Sequence, residues 1–321
     1  MFRLGEYMRS DAESWQAAKE RAAQANSWFT PEFIDLAANH IAENWLDEKQ
    51  LSEWIARYPQ SAAVKELGLV MAGNIPLVGF HDFLCGFLSG HRMALKLSSK
   101  DSVLIRHLAA KLEEWDPAVA ERIAIREMLQ GCDAYIATGS NNSARYFEQY
   151  FAKYPHIIRK NRTSAAVLTG KESPEDLQEL AKDVFLYFGL GCRNVTQLCV
   201  PEGYDFTKLL DAFGIYADMI QHHRYKNNYD YHLAIFLLNK VPYLTNESVI
   251  LVENELPFSA PAVVHYRYYK EREAMIKELE ANDEIQCIVA EGKTGFGKAQ
   301  WPGLGDFADG VDTMAFLAGL K

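Results

Sequence analysis

The chain has 321 residues, 49% of them apolar and 24% charged, enough for roughly two domains with substantial cores at the usual ~150 residues each. Its net charge of −10 argues against a general nucleic-acid binder. Five cysteines, Cys85, Cys132, Cys192, Cys199 and Cys287, form an odd set without a CxxC pair, which argues against a disulfide framework or a zinc site and points to a reducing cytoplasm.

The N-terminus, MFRLGEYMRSDAESW, is charged and unlike a signal peptide, and no apolar run approaches the ~18 residues that span a bilayer, so a soluble protein is expected. Residues 1–65 read as a helical segment. Helices are expected over Asp11–Gln24, from Thr30-Pro31 to about Trp45, and over Asp47–Tyr58, with Trp15, Trp28, Trp45 and Trp54 as core aromatics. From Leu67 the pattern changes to alternating short apolar strands and helices. Strands are predicted at Gly68–Gly73, Arg92–Leu97, Asp133–Ala137 and His156–Arg159. Helices are predicted from Pro76 to Leu88, over Lys100–Trp115, over Pro117–Leu129 and over Asn141–Tyr154. Alternation of this kind predicts a parallel sheet covered by helices, with ligands at the carboxyl ends of its strands. Those ends carry Asn74, Lys96–Ser99 and Thr138–Ser140. The GxGxxG dinucleotide fingerprint is absent.

A second α/β domain is expected from residue 164 to 321. It opens with the strand SAAVL at Ser164, followed by a helix capped by Ser173-Pro174-Glu175-Asp176. Strands follow at Val195–Val200, Glu247–Glu253, Ala262–Tyr269 and Ile285–Ala290. The helices lie at Asp205–His222, Asp230–Asn239 and Glu271–Ala281, before a glycine-rich tail whose Asp306, Asp309 and Asp312 read as solvated. Between the capped helix and the β-branched run lies FGLGCRNVTQL, which sets Cys192 in a glycine-flanked bend beside Arg193. Glycines there allow close backbone approach and leave N–H donors near the thiol, conditions that favour a reactive thiolate. A small buried hydrophobe is the other reading of a lone cysteine.

In this order, the pieces resemble the aldehyde dehydrogenase superfamily, and most closely its fatty acyl-CoA reductase branch, over about residues 65–320. Gly73-Asn74-Ile75-Pro76 is similar to the family's Trp-Asn-x-Pro. Ala94–Ser98 is similar to its Val-Leu-Lys-Pro-Ser, Ala137–Ser140 to its Phe-Thr-Gly-Ser, and Gly191-Cys192 to the segment carrying its nucleophile. Glu255-Leu256-Pro257-Phe258 resembles its Glu-x-Phe. The resemblance implies an aldehyde-dehydrogenase-like fold of two α/β domains with parallel-rich sheets, residues 66–163 binding a nicotinamide and 164–321 carrying the nucleophile. It implies Cys192 as nucleophile and Asn74 as oxyanion donor. Lys96, Ser98, Ser99, Thr138, Gly139, Ser140 and Glu255 would bind the cofactor, with NADPH favoured over NADH, and no metal. The substrate would be an acyl-CoA or an acyl-carrier thioester, with no nucleic acid or transmembrane role. A homo-oligomer or an acyl-donating partner enzyme stays open.

Two departures matter. The general-base Glu of hydrolytic members has no counterpart in Asn161–Ala166, and a ribose-binding Glu is replaced at Ser99. An acyl-phosphate reductase of the same fold and a non-catalytic nucleotide- or acyl-binding protein are the alternatives, and the missing base disfavours a thioesterase. Asn74 could instead cap a helix opened by Pro76. Cys199, Cys85, Cys132 and Cys287 read as core, and His222-His223 as non-ligating.

Overall fold

The computed structural model describes residues 1–61 and 63–321. The backbone forms two compact units, Met1–Asn161 with Gly303–Lys321, and Arg162–Pro302. The first begins with helices α1 (Phe2–Met8), α2 (Glu13–Ala25), α3 (Pro31–His40), which runs on into a π turn at Ile41–Trp45, and α4 (Glu48–Ile55). Thr30 accepts the Phe33 N–H and Asp47 accepts the Gln50 N–H, so each caps the helix it precedes, a bond worth ~1 kcal/mol. The tryptophans pack into this unit. Trp15 donates to the Met8 carbonyl (2.8 Å) and stacks on His107, while Trp45 and Trp54 pack against His81. One core joins these helices to the first sheet.

That sheet comprises β1 (Glu66–Val70), β2 (Arg92–Lys96), β3 (Ile123–Ile125), β4 (Ala134–Thr138) and β5 (His156–Arg159), with α5 (Phe80–Leu88), α6 (Val103–Trp115) and α7 (Asn141–Phe151) between them. The order is β3-β2-β1-β4-β5 and every pair is parallel. Leu67, Leu69, Ala94, Leu95, Ile136 and Ala137 are buried, as strands covered on both faces require.

Two expectations fail here. The helix expected from Pro76 starts only at Phe80, because Leu77 takes a left-handed φ of +56° that no helix tolerates. The helix expected over Pro117–Leu129 is a short 3-10 turn, Pro117–Glu121, followed by β3. There the Ile123–Ile125 backbone gains an edge pairing with β2 that outweighs local helix preference.

The tail returns to this unit, ending in α12 (Thr313–Ala318). Buried Arg159 holds it, donating to the Ala308 carbonyl and the Thr313 hydroxyl (both 2.7 Å) as well as to Asp82 (2.9 Å). Arg159 drives the Asp82 carboxyl far below the usual range, against its burial. The three tail aspartates are not simply solvated. Asp309 lies 4.0 Å from Arg159, Asp306 accepts the Gly303 N–H, and Asp312 caps α12 and accepts the Tyr58 hydroxyl.

The second unit contains β6 (Thr163–Val167), α8 (Pro174–Phe185), β7 (Val195–Pro201), α9 (Thr207–Phe213), α10 (His223–Leu238), β8 (Leu244–Thr245), β9 (Ile250–Glu253), β10 (Val263–Tyr269), α11 (Arg272–Glu280) and β11 (Ile285–Val289). Its order is β11-β6-β7-β10-β9-β8, parallel except for the β8–β9 edge. Helix α10 starts earlier than its pattern suggests. His222 is extended and its ring accepts the Tyr225 N–H, making it the cap. No helix among the described residues is long and apolar enough to cross a membrane.

Candidate active site

The residues singled out by sequence fall at two places, one in each unit. In the second, the capping box starts α8: Ser173 Oγ accepts the Asp176 N–H while Asp176 accepts the Ser173 N–H. Its exit is unusual. Tyr187, Phe188 and Gly189 all take positive φ, 55°, 57° and 74°. Left-handed non-glycine residues cost ~1–2 kcal/mol each, and burial of the Tyr187 and Phe188 rings, the latter tilted against His222 with ring centroids 4.3 Å apart, holds them there.

Asn194, fully buried, explains why helix α8 stops where it does. Its Nδ2 donates to the carbonyls of Asp183 (3.0 Å), Val184 (3.3 Å) and Leu186 (2.8 Å), the orphan acceptors at the end of α8. Its Oδ1 accepts the Gly191 N–H (2.8 Å), and its own N–H donates to the Gly191 carbonyl (3.1 Å). This closes a four-residue turn with Cys192 and Arg193 at the corner. Ser164 Oγ on β6 donates to the Cys192 carbonyl (3.1 Å), fixing the corner from the sheet. Cys192 itself is half-buried.

The other cysteines differ. Cys85, Cys132 and Cys199 are buried, and burial pushes all three thiols up, Cys199 to about 11. Cys287 departs from the core reading: it is half-buried, with its sulfur 3.2 Å from Ser164 Oγ. Asp183, fully buried, accepts the N–H groups of Gly297 (2.7 Å) and Ala299 (2.9 Å). Burial raises its carboxyl to about 7.

Glu255 lies past the end of β9 with its carboxylate 80% exposed and 3.4 Å from Arg267, whose nearer partner is Glu278 (2.6 Å). Beside the left-handed exit of α8, a small cavity of about 20 Å³, room for about one water, is lined by Phe185, Phe188, Val195, Tyr225 and Val263 among others, without a charged side chain.

In the first unit, the expected residues share the carboxyl edge of three neighbouring strands, β2-β1-β4. Asn74 sits in the bend that follows β1. A Cβ on Gly73 would lie 2.6 Å from Ser98 Oγ and 3.0 Å from the Asp101 nitrogen, so only glycine lets this bend pack on the segment after β2. Asp101, 5% exposed, accepts the N–H of left-handed Leu77 (2.7 Å), and burial raises its carboxyl to about 7. The bend is therefore tied to the segment carrying Lys96, Ser98 and Ser99. Because α5 begins at Phe80 with Gly79 before it, Asn74 is not its cap.

Lys96, Ser99 and Lys100 are exposed, and neither lysine has an ionic partner among the described residues. Thr138 ends β4. A Cβ on Gly139 would meet the Phe147 ring and Ser143 at 2.9 Å, and Ser140 caps α7 through the Ser143 N–H. This exposed edge, with unpaired cations, hydroxyls and two glycines held by close packing, fits a dinucleotide in its donor chemistry.

Sequence reading missed Asn194, Ser164, Asp101, Thr196, Gln197 and His265. The available signal was polar side chains inside apolar runs, which must find partners when buried.

A sequence model of the family described as acyl-CoA reductase (LuxC) matches residues 31–203. The long-chain acyl-protein thioester reductase of Photorhabdus laumondii is 21% identical over 227 residues, 64% of this chain and 45% of that protein. Its counterpart from Vibrio harveyi is 22% identical over 209 residues, 58% and 42% of the two chains. Each match thus spans less than half of the relative. Among solved structures, the aldehyde dehydrogenase KauB of Pseudomonas aeruginosa superposes with a TM-score of 0.62 at 10% identity, covering 90% of this chain and 70% of that one. An indole-3-acetaldehyde dehydrogenase of P. syringae, in complex with NAD+, superposes with a TM-score of 0.63 at 12% identity, covering 86% and 67%. The expected aldehyde-dehydrogenase-like α/β fold is the one found.

Proposed function

The chain belongs to the acyl-CoA reductase (LuxC) family, and on that premise we propose that it reduces fatty acyl thioesters to aldehydes through an acyl group carried on Cys192. The observation that carries this reading is the Cys192 turn. It is held by Asn194 and Ser164 at the corner between α8 and β7, whereas Cys85, Cys132 and Cys199 are buried and resist ionisation. The family's reductase name and the acyl-protein thioesters in its relatives' names support a CoA- or carrier-borne substrate.

In this mechanism the Cys192 thiolate attacks the thioester carbonyl carbon. The new S–C bond forms, the bond to the carrier sulfur breaks, and the carrier leaves as a thiolate that needs no acid. The family resemblance assigns the donation to the oxyanion to Asn74 Nδ2 and the Cys192 backbone N–H. A reduced nicotinamide, when bound, supplies hydride to the acyl carbon. Lys96, Ser98, Ser99, Thr138, Gly139 and Ser140 would hold it together with Glu255, and Cys192 departs from the aldehyde as thiolate. Mixing the protein with a long-chain acyl-CoA and reduced nicotinamide should make the cofactor's near-ultraviolet absorbance fall. A steady absorbance with both CoA and carrier-protein thioesters would end the proposal.

Cofactor preference follows from the β2 edge. A carboxylate there would bind the adenosine ribose of NADH and repel a 2′-phosphate. The position is Ser99, flanked by Lys96 and Lys100, and the nearby Asp101 is buried against Leu77. NADPH should therefore give the higher kcat/KM, by ~10-fold or more if one charge-assisted contact to the phosphate forms. Steady-state kinetics with both cofactors measures it, and a higher ratio with NADH rejects the assignment.

The acyl-enzyme should yield slowly to water. Hydrolysis requires a base to take the proton of the attacking water, typically worth ~10²–10⁴-fold. The stretch where hydrolytic relatives carry their Glu is β6 and the residues before it. There Thr163 and Ser164 are buried and hydrogen-bonded, and no carboxylate is present. After single-turnover acylation without cofactor, most of the acyl group should remain on protein. Rapid stoichiometric release of fatty acid, lost in Glu255→Gln, would reveal a base at Glu255.

A further inference from the structure

The loop after β9 is held from below by β7, the strand that leaves the Cys192 turn. Gln197, 1% exposed, donates from its Nε2 to the carbonyls of Asn254 (3.4 Å), Glu255 (3.0 Å) and Leu256 (3.2 Å). Thr196 Oγ donates to the Pro257 carbonyl (2.6 Å), and His265 Nδ1 donates to the Leu256 carbonyl (2.8 Å). Gln197 is level with His265, and His265 with Val252, so the chain beyond Glu253 turns back over the sheet toward the start of β7. In a regular strand, neighbours such as Thr196 and Gln197 face opposite sides. Here Ser164 pairs with Val195 but Ala165 pairs with Gln197, leaving Thr196 as the extra residue of a β-bulge. The bulge brings both side chains onto one loop.

We propose that Gln197, seated by this bulge, is the positioning residue for the Glu255 loop and so governs nicotinamide binding, while leaving attack by Cys192 untouched. This rests on the reading of Glu255 as a ribose ligand. Without Gln197 the Asn254 and Glu255 carbonyls lose this side-chain donor, while the Leu256 carbonyl keeps His265. One amide meeting three consecutive carbonyls fixes the height and tilt of that segment, and with it the Glu255 carboxylate. Gln197 touches neither substrate nor reacting atoms in this role.

The test compares two readouts in the purified full chain. One is reduced-nicotinamide affinity, by fluorescence titration. The other is the rate of Cys192 acylation by a labelled long-chain acyl-CoA, without cofactor. In Gln197→Leu, which keeps bulk but removes the donor, affinity should fall by ~10-fold, the equivalent of about 1.4 kcal/mol, while the acylation rate stays within about twofold, a bound set by the assay. Should that variant not fold, Thr196→Val removes the Pro257 bond and should show the same split to a smaller degree. Unchanged affinity in both variants overturns the inference. So does a parallel loss of affinity and acylation with a lowered melting point, which would mark Gln197 as a general structural residue. If the wild type acylates but binds no reduced nicotinamide, the cofactor reading and this inference fall together. If it binds nicotinamide but does not acylate, only the Cys192 reading falls, and the affinity comparison still decides the role of Gln197.

Discussion

Cys192→Ala should take up no acyl group from a radiolabelled long-chain acyl-CoA, while its melting temperature and nicotinamide affinity stay close to wild type. The reasoning is structural as well as chemical. The Cys192 corner is held by bonds that do not involve its sulfur: Asn194 grips Gly191 and the end of α8, and Ser164 grips the Cys192 carbonyl. Losing the sulfur removes the nucleophile and leaves those bonds in place. The three buried cysteines cannot substitute well. Burial raises the thiols of Cys85, Cys132 and Cys199, and a thiol reacts through its thiolate. Cys287, half-buried beside Ser164, is the one to watch. Labelling that persists in Cys192→Ala and disappears on changing Cys199 or Cys287 would overturn the assignment. Iodoacetamide gives a second check, since Cys192 should alkylate faster than the other four.

Asn74→Ala should lower turnover by ~10²-fold or more, the usual scale for removing one oxyanion donor, with acyl-CoA KM little changed. The alternative role, capping the following helix, would instead cost ~1 kcal/mol of stability. The geometry separates the two. Helix α5 starts at Phe80, and the turn between them is shaped by Leu77 at positive φ and the Asp101–Leu77 bond, so the Asn74 side chain is not needed to begin the helix. Turnover measured alongside thermal melting decides it. Normal turnover with a lowered melting temperature would assign Asn74 to structure.

The alternating strand and helix pattern, the open carboxyl edge with Asn74, Lys96 and Thr138–Ser140, and the bend around Cys192 were all legible in the sequence. These are local properties. Apolar runs bounded by turn residues become buried strands, and a capped helix meeting glycines and then β-branched residues has to bend between them. What escaped the sequence depended on distant partners. Leu77 reads as an ordinary residue after a helix-opening proline, and its left-handed backbone donates to the buried Asp101 carboxylate on another loop. Ile123–Ile125 reads as helix until the exposed edge of β2 offers it a partner.

The same division applies to the site. By itself the sequence determined which residue types stand at strand ends and at the bend, because periodicity and turn chemistry act over a few neighbours. Only the tertiary structure decided what holds them. Asn194 caps α8 and clasps Gly191, Ser164 reaches the Cys192 carbonyl from another strand, and Gln197 gathers three carbonyls of the Glu255 loop. The tail closes on Arg159, far from it in sequence. A buried polar group must find a partner, but nothing in its immediate neighbours says which; that is set by which strands lie side by side once the chain has folded.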